Sequence, residues 1–215
     1  MAAAFGPVRD IDVLLRFLDK TGTRLDPALR PVFLGFRHRF LHRRQVLDRQ
    51  LPSLALSGHH LAKIIRNRAS ALAETTHDPE SWRQLLANSL LELKQNYHQA
   101  STAALAKRDD AVLHGWRIAA KKLRYRLETL GEAELAGRLA ALQDALGEAH
   151  DAAVFRHAWC QIVTEEESGN GCTGQRQLSC ACARIIRIRN QDRKRRAVRR
   201  AIRLHADIVL PSHLP

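Results

Sequence analysis

The chain has 215 residues, of which 45% are hydrophobic and 5% aromatic, and its 35 Lys and Arg outnumber 22 Asp and Glu to give a formal charge of +13. That apolar content supports a packed core and excludes a chain disordered throughout; no run of about 18 apolar residues is present, which excludes a membrane-spanning helix. Abundant Leu and Ala with few β-branched runs favour helix over sheet, and the charge excess attracts polyanions.

The first predicted helix covers about 8–20 and stops at KTGTRLDP. The segment before it, MAAAFGPVRD, has no basic stretch leading into an apolar run. It does not read as a secretory signal, and a cytoplasmic location is the default expectation. Asp26-Pro27 is a cap-plus-proline start for a second helix reaching about Gln50. Leu29, Phe33, Phe36, Phe40 and Leu47 form its apolar band, with Arg30, Arg37 and Arg44 at the border. Cations there either snorkel or bind. Pro52 and Gly58 break the chain before a third helix over about 59–74. On it, His59, Lys63, Arg66 and Ser70 share a face opposite Leu61, Ile65 and Leu72. THDPESW opens a fourth helix over about 79–105, and a fifth covers about 109–130. A sixth covers about 132–145 and is interrupted by Gly147 before a seventh over about 149–167. ESGNGCTGQ is a loop, and the last helix spans about 175–207. In its run RIIRIRNQDRKRRAVRRAIR, cations occupy nearly every face, which signals attraction without geometry or a frayed basic tail. No segment alternates as a strand does. The fold class is therefore all-α, a bundle of about seven or eight helices in one domain with halves at about 1–105 and 109–208. The cysteines, Cys160, Cys172, Cys180 and Cys182, match no zinc spacing and read as free thiols.

A weak repeat relates FGPVRDIDVLLRF to LGEAHDAAVFRHA, pairing Gly6, Arg9, Asp10 and Val13 with Gly147, His150, Asp151 and Val154. Both Asp residues stand at expected helix starts, where Asp serves as a cap. The second copy follows the most distinctive stretch of the chain, VLHGWRIAAKKLRYRLETLG, residues 112–131. At about 100° per residue, His114, Arg117, Lys121, Arg124 and Tyr125 fall on one side with Lys122 at the edge. Trp116, Ala120, Leu123, Leu127 and Leu130 fall on the other. From His114 to Arg124 the row rises about 15 Å. One phosphate needs only a point cluster or a helix N-terminus, whereas a row of this length suits a linear polyanion. The arginine forks can grip phosphate oxygens in pairs, and the lysines act as mobile point charges. A bound polyanion would favour protonation of His114, and Tyr125 either donates its hydroxyl or covers the groove edge.

At LHGWRIAAKKLRYRLE the sequence resembles the conserved-histidine α-helical domain, the CHAD family. His114, Arg117, Lys121, Lys122, Leu123, Arg124, Tyr125 and Glu128 match its signature. LQDALGEAHDAAV is similar to the family's second signature, GPVRDIDVL to the equivalent in the first half, and LALSGHHLAKII to a looser mid-domain pattern. The resemblance implies two pseudo-symmetric helical bundles around a basic cavity. It also implies non-catalytic binding of inorganic polyphosphate and an association with polyphosphate granules. The site residues are then His114, Arg117, Lys121, Lys122, Arg124 and Tyr125, joined by His59, Lys63, Arg66 and Arg37, with no cofactor and no metal. Family members carry a His- and Arg-rich helix ahead of the G-x-x-R-D segment, and this sequence begins after that point. Either the start is misassigned, the sequence is a fragment, or it is a shortened variant; the expectation is that part of the cationic lining is missing and an apolar groove is left, which a second copy of the chain, as a homodimer, or a rearranged helix would fill.

Two other functions compete. The charge also suits RNA or DNA, but Trp116 falls on the core face and no nucleic-acid motif is visible. A metal-dependent phosphohydrolase would use His114 with Asp10, Asp144, Asp151 or Glu128, and it needs carboxylates convergent with the cations.

Overall fold

The computed structural model describes residues 2–49, 63–64, 66–67, 79–167, 173–208 and 210; side chains at 2–5, 79–83, 164–167 and 173–176 are outside the description. Helix α1 (Ala2–Gly22) begins earlier than the Gly6-Pro7 pair suggested and carries Pro7 inside it, because three alanines ahead of that pair are strong helix formers. Asp26 accepts the Ala28 N–H at 2.9 Å and caps a 3-10 turn, Pro27–Leu29. That turn feeds α2 (Arg30–Asp48). Of the expected third helix, residues 63, 64, 66 and 67 are helical, and the remainder, His59 included, lies outside the described residues. Helix α3 (Pro79–Lys107) packs on α4 (Asp110–Thr129). Asp109 caps α4 by accepting the Val112 N–H at 2.9 Å. Its other end closes on Gly131, at φ +81°, with the Gly131 N–H donating to Glu128 and the Glu132 N–H to Leu127. Such a paired closure needs a left-handed residue, which glycine adopts without a Cβ clash.

The expected break at Gly147 is absent. The sixth and seventh predicted helices are one, α5 (Ala133–Glu167). A glycine inside a helix costs only about 1 kcal/mol, and Leu146 and Ala149 beside it are buried, so packing outweighs the loss. The last helix is α6 (Thr173–Ala206). The described residues thus form six α-helices where seven or eight were expected, and no strand; the all-α class stands. The merger also removes the capping role expected for Asp151. Asp10 and Asp151 both lie inside helices, where no free N–H is left for a cap to satisfy.

The chain divides into two compact units, Met1–Thr76 with Val154–Asn190 and His77–Ala153 with Gln191–Pro215. Each has its own core. In the first, Leu14, Leu18, Phe36 and Phe40 close on Phe155 and Trp159. The Phe36 and Trp159 rings lie 4.8 Å apart, and the Phe17 and Phe155 rings meet edge-on at 4.7 Å, a preferred aromatic geometry. Arg189 gives one guanidinium N–H to the Thr21 carbonyl and another to the Arg24 carbonyl, each at 2.9 Å, and so satisfies the C-terminal end of α1. In the second unit, Leu113, Trp116, Leu123 and Leu127 of α4 pack with Leu139, Leu142 and Leu146 of α5 and with Ala197 and Ala201 of α6.

A polar contact is built into that second core. The Tyr97 hydroxyl and His205 Nδ1 are hydrogen-bonded at 2.8 Å, and the His205 ring meets Trp116 edge-on at 5.2 Å. Burial pushes the Tyr97 hydroxyl up to about 12. Burial, and secondarily the charge of His98, holds His205 below its ordinary value of 6.5. The folded state therefore binds this proton less readily than the unfolded chain. The stabilisation is complete above the unfolded value and falls as pH drops through it toward the lower folded value. Thermal unfolding followed by circular dichroism should show a lower Tm as pH falls from about 7 to about 5.5, with a shallower slope in His205→Gln; an unchanged slope would remove His205 as its source.

Candidate functional site

Helix α4 separates its two faces as a helical period requires. Trp116, Ala120, Leu123 and Leu127 are fully buried, and the cations stand on the other side. His114 and Lys122 are exposed, Arg117, Lys121 and Arg124 are half-buried, and Tyr125 is 47% exposed. The row runs along one helix of the second unit for about 15 Å from His114 to Arg124. Arg124 and Lys121 both lie over the Tyr125 ring, at 4.7 and 5.5 Å from its centroid, within cation–π range. Tyr125 thus supports the row from its edge.

The facing part of α5 supplies little bulk and one more imidazole. The His114 and His150 rings are 4.9 Å apart. Arg117 passes over Gly147, where an added Cβ would meet its Nε at 3.7 Å. That Nε is fully buried and, among the described residues, has no hydrogen-bond partner. Glu128 takes Arg124, with Nε 3.6 Å from Oε1. Among the described residues no carboxylate lies within ion-pair distance of Arg117, Lys121 or Lys122. The carboxylates around the row are engaged elsewhere: Asp151 by Arg193 at 3.8 Å, Glu148 by Arg200 at 3.0 Å, and Asp110 by Lys194.

Of the residues singled out in the sequence, His114, Arg117, Lys121, Lys122, Arg124 and Tyr125 belong to this face. Arg37, Lys63 and Arg66 belong to the first unit. Arg37 Nε is bonded to Asp19 at 2.7 Å, and its neighbour Arg44 is bonded to Asp12 at the same distance. Arg37 and Arg44, two of the three arginines that border the α2 apolar band, therefore hold α1. Lys63 and Arg66 are exposed, and His59 is outside the description.

Sequence reasoning missed four groups: His150, Arg193, Lys194 and Arg200. His150 was visible only as a repeat position. The other three sat in a run read as attraction without geometry, and that reading is corrected here. Helix α6 remains helical to Ala206 and buries Ile186, Asn190, Ala197 and Ala201. Over its C-terminal half the buried positions are mostly Ala197, Val198 and Ala201, so the small apolar face is crowded by cations that hide the helical period. Among the described residues no three His, Cys, Asp or Glu side chains are placed to hold a metal ion. Cys182 is buried, and burial pushes its thiol up to about 11, which keeps it an unreactive core residue. No described helix is long and apolar enough to cross a membrane.

The family model for the CHAD domain matches residues 1–159. No curated protein and no solved structure matches the chain.

Proposed function

The chain belongs to the CHAD family, and from that premise we propose that it binds inorganic polyphosphate without catalysis, along the cationic face of α4. The observation that carries this reading is the set of cations left without carboxylate partners. Arg117, Lys121 and Lys122 stand on one helix face with no described acid in reach. An anionic chain would supply what the fold withholds. His114 and Arg124 extend the face to about 15 Å, and the buried Nε of Arg117 favours a ligand that neutralises the guanidinium from its open side. His59, Lys63, Arg66 and Arg37 remain proposed contributors of a second cationic face, Arg37 being the weakest because Asp19 already holds it. A cytoplasmic protein associated with polyphosphate granules would follow from this activity.

Nucleic acid is the second reading, supported by the exposed Tyr125, whose ring is of a kind on which a base stacks. Against it, Trp116 is fully buried and the Tyr125 ring already carries Arg124 and Lys121. Competition decides between them. Labelled long-chain polyphosphate bound at low salt should be displaced by unlabelled polyphosphate at a phosphate concentration at least about tenfold below that of single-stranded RNA or duplex DNA. Equal displacement by RNA at equal phosphate concentration would favour the nucleic-acid reading.

A further inference from the structure

The cationic face on α4 lies beside three acids, and that invites a question about charge. Asp110 is one helical turn before His114. Glu148 and Asp151 adjoin Gly147 and His150, the two positions of α5 that meet Arg117 and His114. Glu128 already pairs with Arg124; left unpaired, these three further carboxylates would add negative charge beside the row and compete with any anionic ligand. Each is instead engaged by α6. Arg193 Nη2 stands 3.8 Å from Asp151, Arg200 Nη2 stands 3.0 Å from Glu148, and Lys194 Nζ is bonded to Asp110. The two pairs of Arg193 and Lys194 are mostly shielded, with side-chain exposures between 23% and 31%. The Arg200 pair is more open, at 43% and 45%.

We propose that Arg193, Lys194 and Arg200 are positioning residues, which draw Asp151, Asp110 and Glu148 away from the α4 row and so keep the row free for an anionic chain. The three lie outside the residues matched by the family model and are assigned by geometry alone. The inference rests on the polyphosphate reading above and adds to it a second layer of charge. The row binds the anion, and α6 removes the acids that would otherwise neutralise it. The arrangement also explains why a helix so rich in arginine is not simply a second binding face. Its inward cations have carboxylate partners within this unit.

Paired neutralisation tests this. Arg193→Gln releases Asp151 and should weaken binding of long-chain polyphosphate at low salt about five- to tenfold. Adding Asp151→Asn should bring affinity back to within about twofold of wild type, since the freed acid is then gone. If Arg193 instead touches polyphosphate, the double variant stays as weak as Arg193→Gln, and the proposal is overturned. Glu92→Gln, an exposed acid on α3, controls for net charge. Combined with Arg193→Gln it should restore nothing, and recovery there equal to that from Asp151→Asn would mean that only total charge matters and would also overturn the proposal. The same cycle with Arg200→Gln and Glu148→Gln uses a more exposed pair, which keeps the test open should Arg193→Gln unfold. Failure of the cycle in a protein that binds polyphosphate sinks only the positioning role. Failure of wild type to bind polyphosphate sinks the reading beneath it as well.

Discussion

Replacing Arg117, Lys121 and Arg124 together with glutamine is expected to weaken binding of long-chain polyphosphate at least about a hundredfold at low salt, three charge-assisted contacts being lost at once. Glutamine keeps the helix propensity of the originals, and the changed positions oppose the buried face of Trp116, Leu123 and Leu127. The fold should therefore survive. Tm should stay level or rise, because like charges along one face repel. The dependence of affinity on salt should flatten as well. Each cation that neutralises a phosphate releases counterions, so a plot of log affinity against log salt loses about one unit of slope per contact removed, by analogy with nucleic acids. Lys122→Gln, at the edge of the row, should cost only a few-fold. A triple variant that binds as tightly as wild type, with an unchanged salt slope, would move the site off α4. A loss of affinity accompanied by a lower Tm would instead report damage to the helix.

The cationic face of α4, the core of the candidate site, was legible because its signals are local. A cap at Asp109, a helical apolar stripe from Leu113 to Leu127 and a left-handed glycine at position 131 delimit the helix, and together they fix which side of it faces water. What was not legible depends on which residues meet across the fold. Asp151 looks like a cap from the sequence around it. Only the approach of Arg193, far away in the chain, makes it the partner of a guanidinium. Gly147 looks like a breaker until Leu146 and Ala149 are seen buried on either side, since about 1 kcal/mol of propensity is small beside packed apolar surface. Arg37 shows a different limit. A cation at the border of an apolar band serves equally well as a phosphate contact or as a strut, and its ion pair with Asp19 at 2.7 Å across the chain is invisible in the local pattern. In α6 the pattern itself is obscured, because Ala197 and Ala201 bury a face too small in side-chain volume to stand out among arginines.

The largest effect on stability is expected from Trp116→Ala. Trp116 is fully buried at the centre of the second core, and removing a buried indole costs about 3–5 kcal/mol through lost transfer energy and the cavity that remains. Small domains are stable by only about 5–15 kcal/mol, so the second unit would be left near its unfolding limit. The indole also supports a polar contact. Its ring meets His205, and His205 holds the Tyr97 hydroxyl; without the ring, both polar groups lose their packing wall. Trp116→Phe should recover most of the loss, since an aromatic edge can still meet His205 and fill most of the cavity. Urea unfolding followed by circular dichroism measures both. Trp116→Ala should move the midpoint of the second unit far down while leaving polyphosphate affinity, corrected for the folded fraction, within about twofold of wild type, because the residue shares a helix with the cationic row but not a face. A midpoint unchanged in Trp116→Ala would contradict the core described for α4. Intact stability with lost binding would place Trp116 against the ligand.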